Sequence, residues 1–246
     1  LGEDTKAMLR KNPYFAGAIS TQDSDAGAQL AERALKDGHK TAIIVAAAAG
    51  DTNHDLRVAG FTKAFEQGGG KILGVVHCAD PSEAVQKSND LLTANSKAEC
   101  LYGSGGDFSM GALSAMQSTG IKMPIYGTDI DPNVLKAIKA GDVVEANGAA
   151  GPYSAGIAAT LLLNYLDGHP IKDENGLAPM SNGLKFISVT KDNADDFEKY
   201  WLNGHPFTPD DFKNLCYRYN PNVTWQDYLN LLDNYNYDNR VAALQK

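Results

Sequence analysis

Three polar clusters hold the residues best suited to chemistry: Arg57-Val58-Ala59-Gly60-Phe61, Gly105-Gly106-Asp107-Phe108, and Tyr126-Gly127-Thr128-Asp129-Ile130-Asp131-Pro132. The Arg57 guanidinium and the Asp107 and Asp129 carboxylates are groups that make charge-assisted hydrogen bonds. Each cluster follows an apolar run with the character of a strand and precedes a run with helical periodicity. In an open α/β sheet the loops at the carboxyl ends of the strands gather on one edge, where ligands bind. The three clusters are therefore expected to share a cleft.

Other chemistries fit the residues less well. Asp107-Phe108-Ser109-Met110-Gly111 lies between a strand and a helix, near the place of a hydrolase nucleophile elbow. An Asp stands where G-x-S-x-G needs its first Gly and obstructs the tight turn, so a hydrolase using Ser109 is the weaker alternative. Gly103-Ser104-Gly105-Gly106 suggests a phosphate cradle but matches neither the Walker pattern nor G-x-G-x-x-G. The five histidines, His39, His54, His77, His169 and His205, show no metal-ligand spacing and are expected on the surface or in the core. Cys78, Cys100 and Cys216 are too scattered for a disulfide framework or a zinc site and read as idle thiols. No metal and no cofactor is expected. Asn222-Val223-Thr224 matches a glycosylation sequon, a pattern that arises often by chance.

Composition excludes several classes. The 246 residues are 43% hydrophobic, enough to bury a sizeable core as one large domain or two small ones. A net charge of -8 with no run of Lys and Arg argues against nucleic acid as a partner. No transmembrane segment is expected, because the most apolar stretch, 157–163, falls well short of the roughly 18 residues a membrane helix needs. Leu1-Gly2-Glu3-Asp4 has neither an initiator Met nor the pattern of a leader and reads as an internal start.

The elements that must position the clusters follow from periodicity. Residues 15–20 form a short apolar run. Asp23 or Asp25 can cap a helix in which Gly27, Leu30, Ala31, Ala34 and Leu35 share one face. After Gly38, residues 41–46 are continuously apolar, as in a strand buried on both faces of a parallel sheet. Val58, Phe61 and Phe65 mark the next helix, Gly68-Gly69-Gly70 ends it, and 72–76 is a strand. Ser82 is expected to cap a helix carrying Ala84, Val85, Leu91 and Leu92. A strand at 100–102 leads to a helix with Asp107 as its expected cap. A strand at 124–127, a short helix opening on Pro132, a strand at 143–146 and an apolar helix at 157–166 complete the series. One more strand is expected over 184–189, joining a sheet elsewhere because a lone strand is unstable. Helices are expected at 209–217, 224–232 with Thr224 as cap, and 238–244.

This alternation requires crossover connections and predicts an α/β fold, a doubly wound parallel sheet with an appended helical C-terminal tail. The order of Asp25-Ala26-Gly27, Arg57-x-x-Gly60-Phe61, Gly111-Ala112, Gly127-x-Asp129-x-x-Pro132, Ala140-Gly141 and Pro152-x-x-x-Gly156 resembles the type I periplasmic solute-binding proteins of ABC transporters, a pattern shared by ribose-binding-like receptors and LacI-type effector domains. The likeness runs over about 14–189. It implies two lobes joined by three crossing segments, at 15–20, after Asp129 and at 170–190, with a small ligand trapped between the lobes by hinge closure.

On that resemblance, 1–20 is a remnant of the N-terminal lobe and a crossing, with most of that lobe lying outside the chain. Residues 21–167 form the C-terminal ligand-binding lobe, 168–191 a return crossing with one strand, and 192–246 a helical, Asn- and Tyr-rich tail. The resemblance implies an extracytoplasmic protein, periplasmic or lipid-anchored, that binds a small polar solute such as a sugar or polyol and works with an ABC permease. A LacI-type effector domain or a receptor-kinase ectodomain is the alternative of a different class.

The resemblance also assigns site residues. Arg57 points into the cleft, where its fork suits vicinal hydroxyls or a carboxylate; otherwise it is a helix-surface Arg in a salt bridge. Asp129 accepts ligand hydroxyls, or else shapes the turn before the helix capped by Asp131. The family's Asn-Asp at the next helix start is replaced by Gly105-Gly106, and its Gln before the Pro by Ala150, which weakens the expectation of a pentose or hexose held in the usual way. Asp107 and Phe108 can compensate, Phe108 by covering an apolar sugar face. Alternatively, Asp107 only caps its helix and Phe108 belongs to the core.

Overall fold

The computed structural model describes residues 3–148 and 150–245. The chain opens with α1 (Glu3–Lys11), β1 (Ala18–Thr21), α2 (Asp23–Lys36), β2 (Thr41–Ala47), α3 (Thr52–Gln67) and β3 (Lys71–Cys78). It continues with α4 (Ala84–Ala94), β4 (Cys100–Gly103), α5 (Gly106–Thr119), β5 (Ile125–Thr128), α6 (Pro132–Ala140) and β6 (Glu145–Gly148). The rest comprises α7 (Gly151–Leu166), β7 (Met180–Leu184), β8 (Ile187–Thr190), α8 (Ala194–Phe197), α9 (Pro209–Asn214), α10 (Trp225–Asp233) and α11 (Tyr237–Leu244). Contacts divide it into two compact units, the chain passing between them after Gln22, Gly148, Phe186 and Asn203.

The larger unit, Asp23–Gly148 with Ile187–Asn203, is built on a six-stranded sheet in the order β3-β2-β4-β5-β6-β8. All neighbours are parallel except β8, which runs antiparallel to β6. Ala42, Ile43, Ile44, Val45 and Ala46 of β2 are wholly buried, the burial on both faces that their continuous apolar run predicts. Helices α2 and α3 meet at two glycines: a Cβ on Gly27 would lie 2.0 Å from the Arg57 carbonyl oxygen, and one on Gly60 would lie 1.9 Å from that of Ser24. This close approach lets Phe61 stack on Tyr102 of β4, with ring centroids 4.3 Å apart.

Four local expectations change. Asp80, not Ser82, caps the turn before α4, its carboxylate accepting from the Ser82 N–H at 2.8 Å. Asp107 is no cap: Gly105 occupies that position, and Asp107 is exposed in the first turn of α5. The loop after Asp129 is not a crossing, because Asp131 caps α6 by accepting from the Asn133 and Val134 N–H groups at 2.7 and 2.9 Å, and the chain stays in the larger unit through β6. The strand expected over 184–189 is two strands that break at Lys185-Phe186 and serve different sheets, β7 pairing with β1 and β8 with β6. The short α8, extended by a π-turn over Glu198–Leu202, was not evident in the periodicity.

The smaller unit, Leu1–Gln22, Ala149–Phe186 and Gly204–Lys246, contains the parallel pair β1 and β7. The tail helices are fastened to α7 by a buried polar network. Tyr228 donates its hydroxyl to the Leu215 carbonyl at 3.0 Å and lies 2.8 Å from the Thr160 hydroxyl. Asn164 donates to the same carbonyl at 2.8 Å and accepts from the Tyr217 N–H at 2.7 Å. Capping boxes at Thr208/Asp211 and Thr224/Asp227 start α9 and α10. Arg240, buried, donates to the Pro206 carbonyl and to Asp211 and lies over the Phe207 ring.

Three outcomes follow from this packing. Gly60→Ala should destabilise the protein by about 2 kcal/mol or more, since the clash is with backbone. Gly151→Ala, with open space around it, should stay within about 0.5 kcal/mol of wild type. Tyr228→Phe should cost about 1 kcal/mol by removing the hydroxyl that links Thr160 to the Leu215 carbonyl, both of which keep a second partner. Urea denaturation reads all three.

Candidate functional site

Because β2, β4, β5 and β6 are parallel, the loops that follow them emerge at one edge of the sheet of the larger unit. Arg57 reaches this edge from the second turn of α3, a helix begun by Asp51, whose carboxylate accepts from the Asn53 and His54 N–H groups. Arg57 Nε donates to Asp23 Oδ1 at 2.7 Å, while Nη1 donates to Asp129 Oδ2 at 2.7 Å and to the Ser104 carbonyl at 3.0 Å. The guanidinium thus ties the start of α2 to the loops after β4 and β5.

The two carboxylates differ in setting. The Asp23 side chain is 4% exposed and the Asp129 side chain 49%, against 8% for Arg57. Burial alone would lower the Arg57 pKa, but attraction to Asp129 and the hydrogen bond to Asp23 outweigh it and the net shift is upward. Asp129 also has φ of 67°, the left-handed region that a non-glycine residue enters at some cost. Its N–H donates to the Asn147 carbonyl at 2.7 Å, which holds the turn in place.

Beside the pair lies a cavity of 310 Å³ whose walls include Asp51, His54, Asp80, Asp107, Phe108 and Asp129. His54 Nδ1 is 2.8 Å from the Ser104 hydroxyl, which itself accepts from the Ala47 N–H at 3.3 Å. The imidazole meets Phe108 edge to face, with centroids 5.5 Å apart. Burial lowers the His54 pKa and the Arg57 charge lowers it further, with Asp51 and Asp129 in partial opposition.

All four expected site residues, Arg57, Asp129, Asp107 and Phe108, therefore border one edge. Arg57 is held in salt bridges, as its alternative reading had it, yet these lie at the sheet edge and not on a helix surface. Phe108 is 6% exposed and is both packed and part of the cavity wall. Asp23 and His54 also belong to this edge, although the sequence gives Asp23 the position of a helix cap and gives His54 no ligand spacing. Ser109 is no nucleophile elbow: it is fully buried and donates to the Gly105 carbonyl at 3.1 Å. A Cβ on Gly103 or Gly127 would lie 2.2 or 2.5 Å from the Ser109 hydroxyl, so these glycines make room for that side chain.

Asp23→Ala should cost about 3 to 5 kcal/mol in urea denaturation, because it strips a buried guanidinium of a buried partner. Asp129→Ala, whose carboxylate is half exposed, should cost about 1 kcal/mol or less. For His54 the folded pKa lies below the unfolded value of about 6.5. The stability it contributes is present above that value and is lost as pH falls through the folded pKa. Denaturation midpoints between pH 7 and 5 should fall less steeply in His54→Gln than in wild type, and NMR titration of His54 should give a value below that of free imidazole side chains.

The sequence profile of the periplasmic binding protein domain matches residues 7–170, more than half of the chain. Among curated proteins none matches the sequence. Solved structures share the fold at low identity. A substrate-binding protein of a sugar ABC transport system from Bordetella parapertussis superposes with a TM-score of 0.66 and 19% identity over 75% of this chain and 61% of its own. A periplasmic ribose ABC transporter protein from Conexibacter woesei gives 0.63 and 20% over 74% and 61%. An ABC transporter periplasmic solute-binding protein from Actinobacillus succinogenes with bound D-allose gives 0.64 and 18% over 72% and 62%. The chain spans less than two thirds of the length of each of these three structures. The profile covers more than half of the chain and the α/β fold is shared with these structures: the chain belongs to the periplasmic binding protein family, type I.

Proposed function

We propose that this chain recognises the solute for an extracytoplasmic receptor, periplasmic or lipid-anchored at the cell surface, that delivers a small carbohydrate or polyol to an ABC permease. The observation that carries the reading is the Arg57–Asp129 pair, a buried donor fork clasping a carboxylate that remains half exposed at the ligand-binding edge. Such a carboxylate accepts hydrogen bonds from ligand hydroxyls while its geometry is held by the guanidinium. Asp107 and Phe108, directly after the Gly105-Gly106 that replaces the Asn-Asp of the usual sugar site, compensate for it, one supplying acceptors and the other an apolar ring. The sugars named for the similar structures support a carbohydrate, and their low identity leaves its identity to experiment. Among the described residues no helix is long and apolar enough to cross a membrane.

The role involves no chemistry on the solute. Solute bonds present only in the closed state shift an open and closed equilibrium by their differential affinity, which is how a second lobe closing over this edge would signal occupancy to the permease. Thermal-shift and calorimetric titration against sugars, polyols, amino acids and nucleosides tests the reading. Asp129→Ala should retain the fold and weaken binding of the hit by about tenfold or more. Arg57→Lys should weaken it as well, since an ammonium cannot hold two carboxylates in the same fork. A hit indifferent to Asp129→Ala would place recognition elsewhere.

A further inference from the structure

We propose that this edge selects its solute by charge, accepting neutral and amino-substituted polyols and rejecting sugar acids and sugar phosphates. The inference rests on the reading of the edge as the recognition site and adds the property by which it discriminates. Four carboxylates, Asp51, Asp80, Asp107 and Asp129, border the 310 Å³ cavity, and among the described residues no Lys or Arg lines it. The nearest guanidinium, Arg57, bonds both Asp23 and Asp129, so its positive charge is already offset by two negative ones. Glu83 accepts from the N–H of the lining residue Ala79 at 2.8 Å, and Lys87 pairs with Glu83 at 2.7 Å. Among the described residues of the wall the one basic group is the imidazole of His54, and its burial favours the neutral form.

An anionic solute entering this concave, solvent-open cavity meets repulsion from several carboxylates of like charge, an effect that salt screens. An ammonium on the same carbon skeleton meets attraction instead. The Arg57 fork, which in isolation suits a ligand carboxylate, cannot serve as an anion receptor while it holds two carboxylates of its own chain. The charge arrangement thus turns a residue type associated with anion binding into a positioning group for Asp129.

Two measurements test this separately from the carbohydrate reading. The first needs no ligand. A thiol is introduced at the cavity by Ala79→Cys, with Ala48→Cys as a second position, and its modification rates are measured with methanethiosulfonate reagents bearing a trimethylammonium or a sulfonate. Wild type is the background, since Cys78, Cys100 and Cys216 are buried. The cationic-to-anionic rate ratio, normalised to a free thiol, should be raised about tenfold at low salt and should fall with added salt and in Asp107→Asn. A ratio at or below that of the free thiol at both positions overturns the proposal.

The second measurement is calorimetry with D-glucosamine, D-glucose and D-glucuronate and with the matched galactose series. Binding by the amino or neutral member at least about tenfold tighter than by the uronate supports the proposal. A uronate that binds as tightly as its neutral counterpart overturns it. If all six sugars are silent while the thiol ratio is high, the charge preference stands and the carbohydrate reading fails.

Discussion

The Arg57 guanidinium is the constraint on which the rest of the larger unit depends. It is buried, and a buried charge is tolerated only when paired and hydrogen-bonded. Its partners come from three places, Asp23 at the start of α2, the Ser104 carbonyl after β4 and Asp129 after β5. No two of these are close in sequence, so the ion cluster can form only once the parallel sheet has assembled. In return, it fixes the spacing of the loops that form the edge.

That geometry needs α2 and α3 to approach more closely than side chains normally permit. Gly27 and Gly60 provide the approach, each facing a backbone carbonyl of the other helix. Phe61, one residue on, then lies flat against Tyr102, with Phe65 stacked behind it. The Arg-x-x-Gly-Phe pattern is thus one mechanical unit in which Arg57 faces the site, Gly60 sets the helix contact and Phe61 anchors the helix to β4. Asp129 completes the arrangement from the other side at a backbone conformation that costs free energy. That conformation points to a turn shaped for its carboxylate and not for local stability.

In the smaller unit the controlling interactions are polar but equally buried. Thr160 and Asn164 lie one helical turn apart on α7 and face Tyr228 and the Leu215 carbonyl of the tail. A tail rich in Asn, Asp and Tyr can pack in this way because each buried polar group finds a partner. The segment therefore belongs to the unit's core and is more than a surface appendage.

Much of the larger unit was legible in the residue order. Continuous apolar runs marked β2 and its neighbours, Asp131-Pro132 marked the start of α6, and Thr224 marked that of α10, because periodicity and capping are local properties of the chain. The residues of the edge were legible too, since loops after parallel strands must gather on one side. What the order of residues could not decide was partnership. Asp23 and Asp107 both looked like helix caps, yet one holds Arg57 and the other faces solvent, because a carboxylate takes whichever donor the assembled sheet brings nearest. His54 gave no signal, since its place beside Ser104 and Phe108 joins residues some fifty positions apart. The break at Lys185-Phe186 was equally silent, because no Gly or Pro marks it and only the demands of two different sheets divide the run. The sequence by itself determined most elements of the larger unit and which loops meet; the tertiary structure decided where the last strands divide and which charges pair, because pairing across a sheet edge depends on distances that exist only after folding.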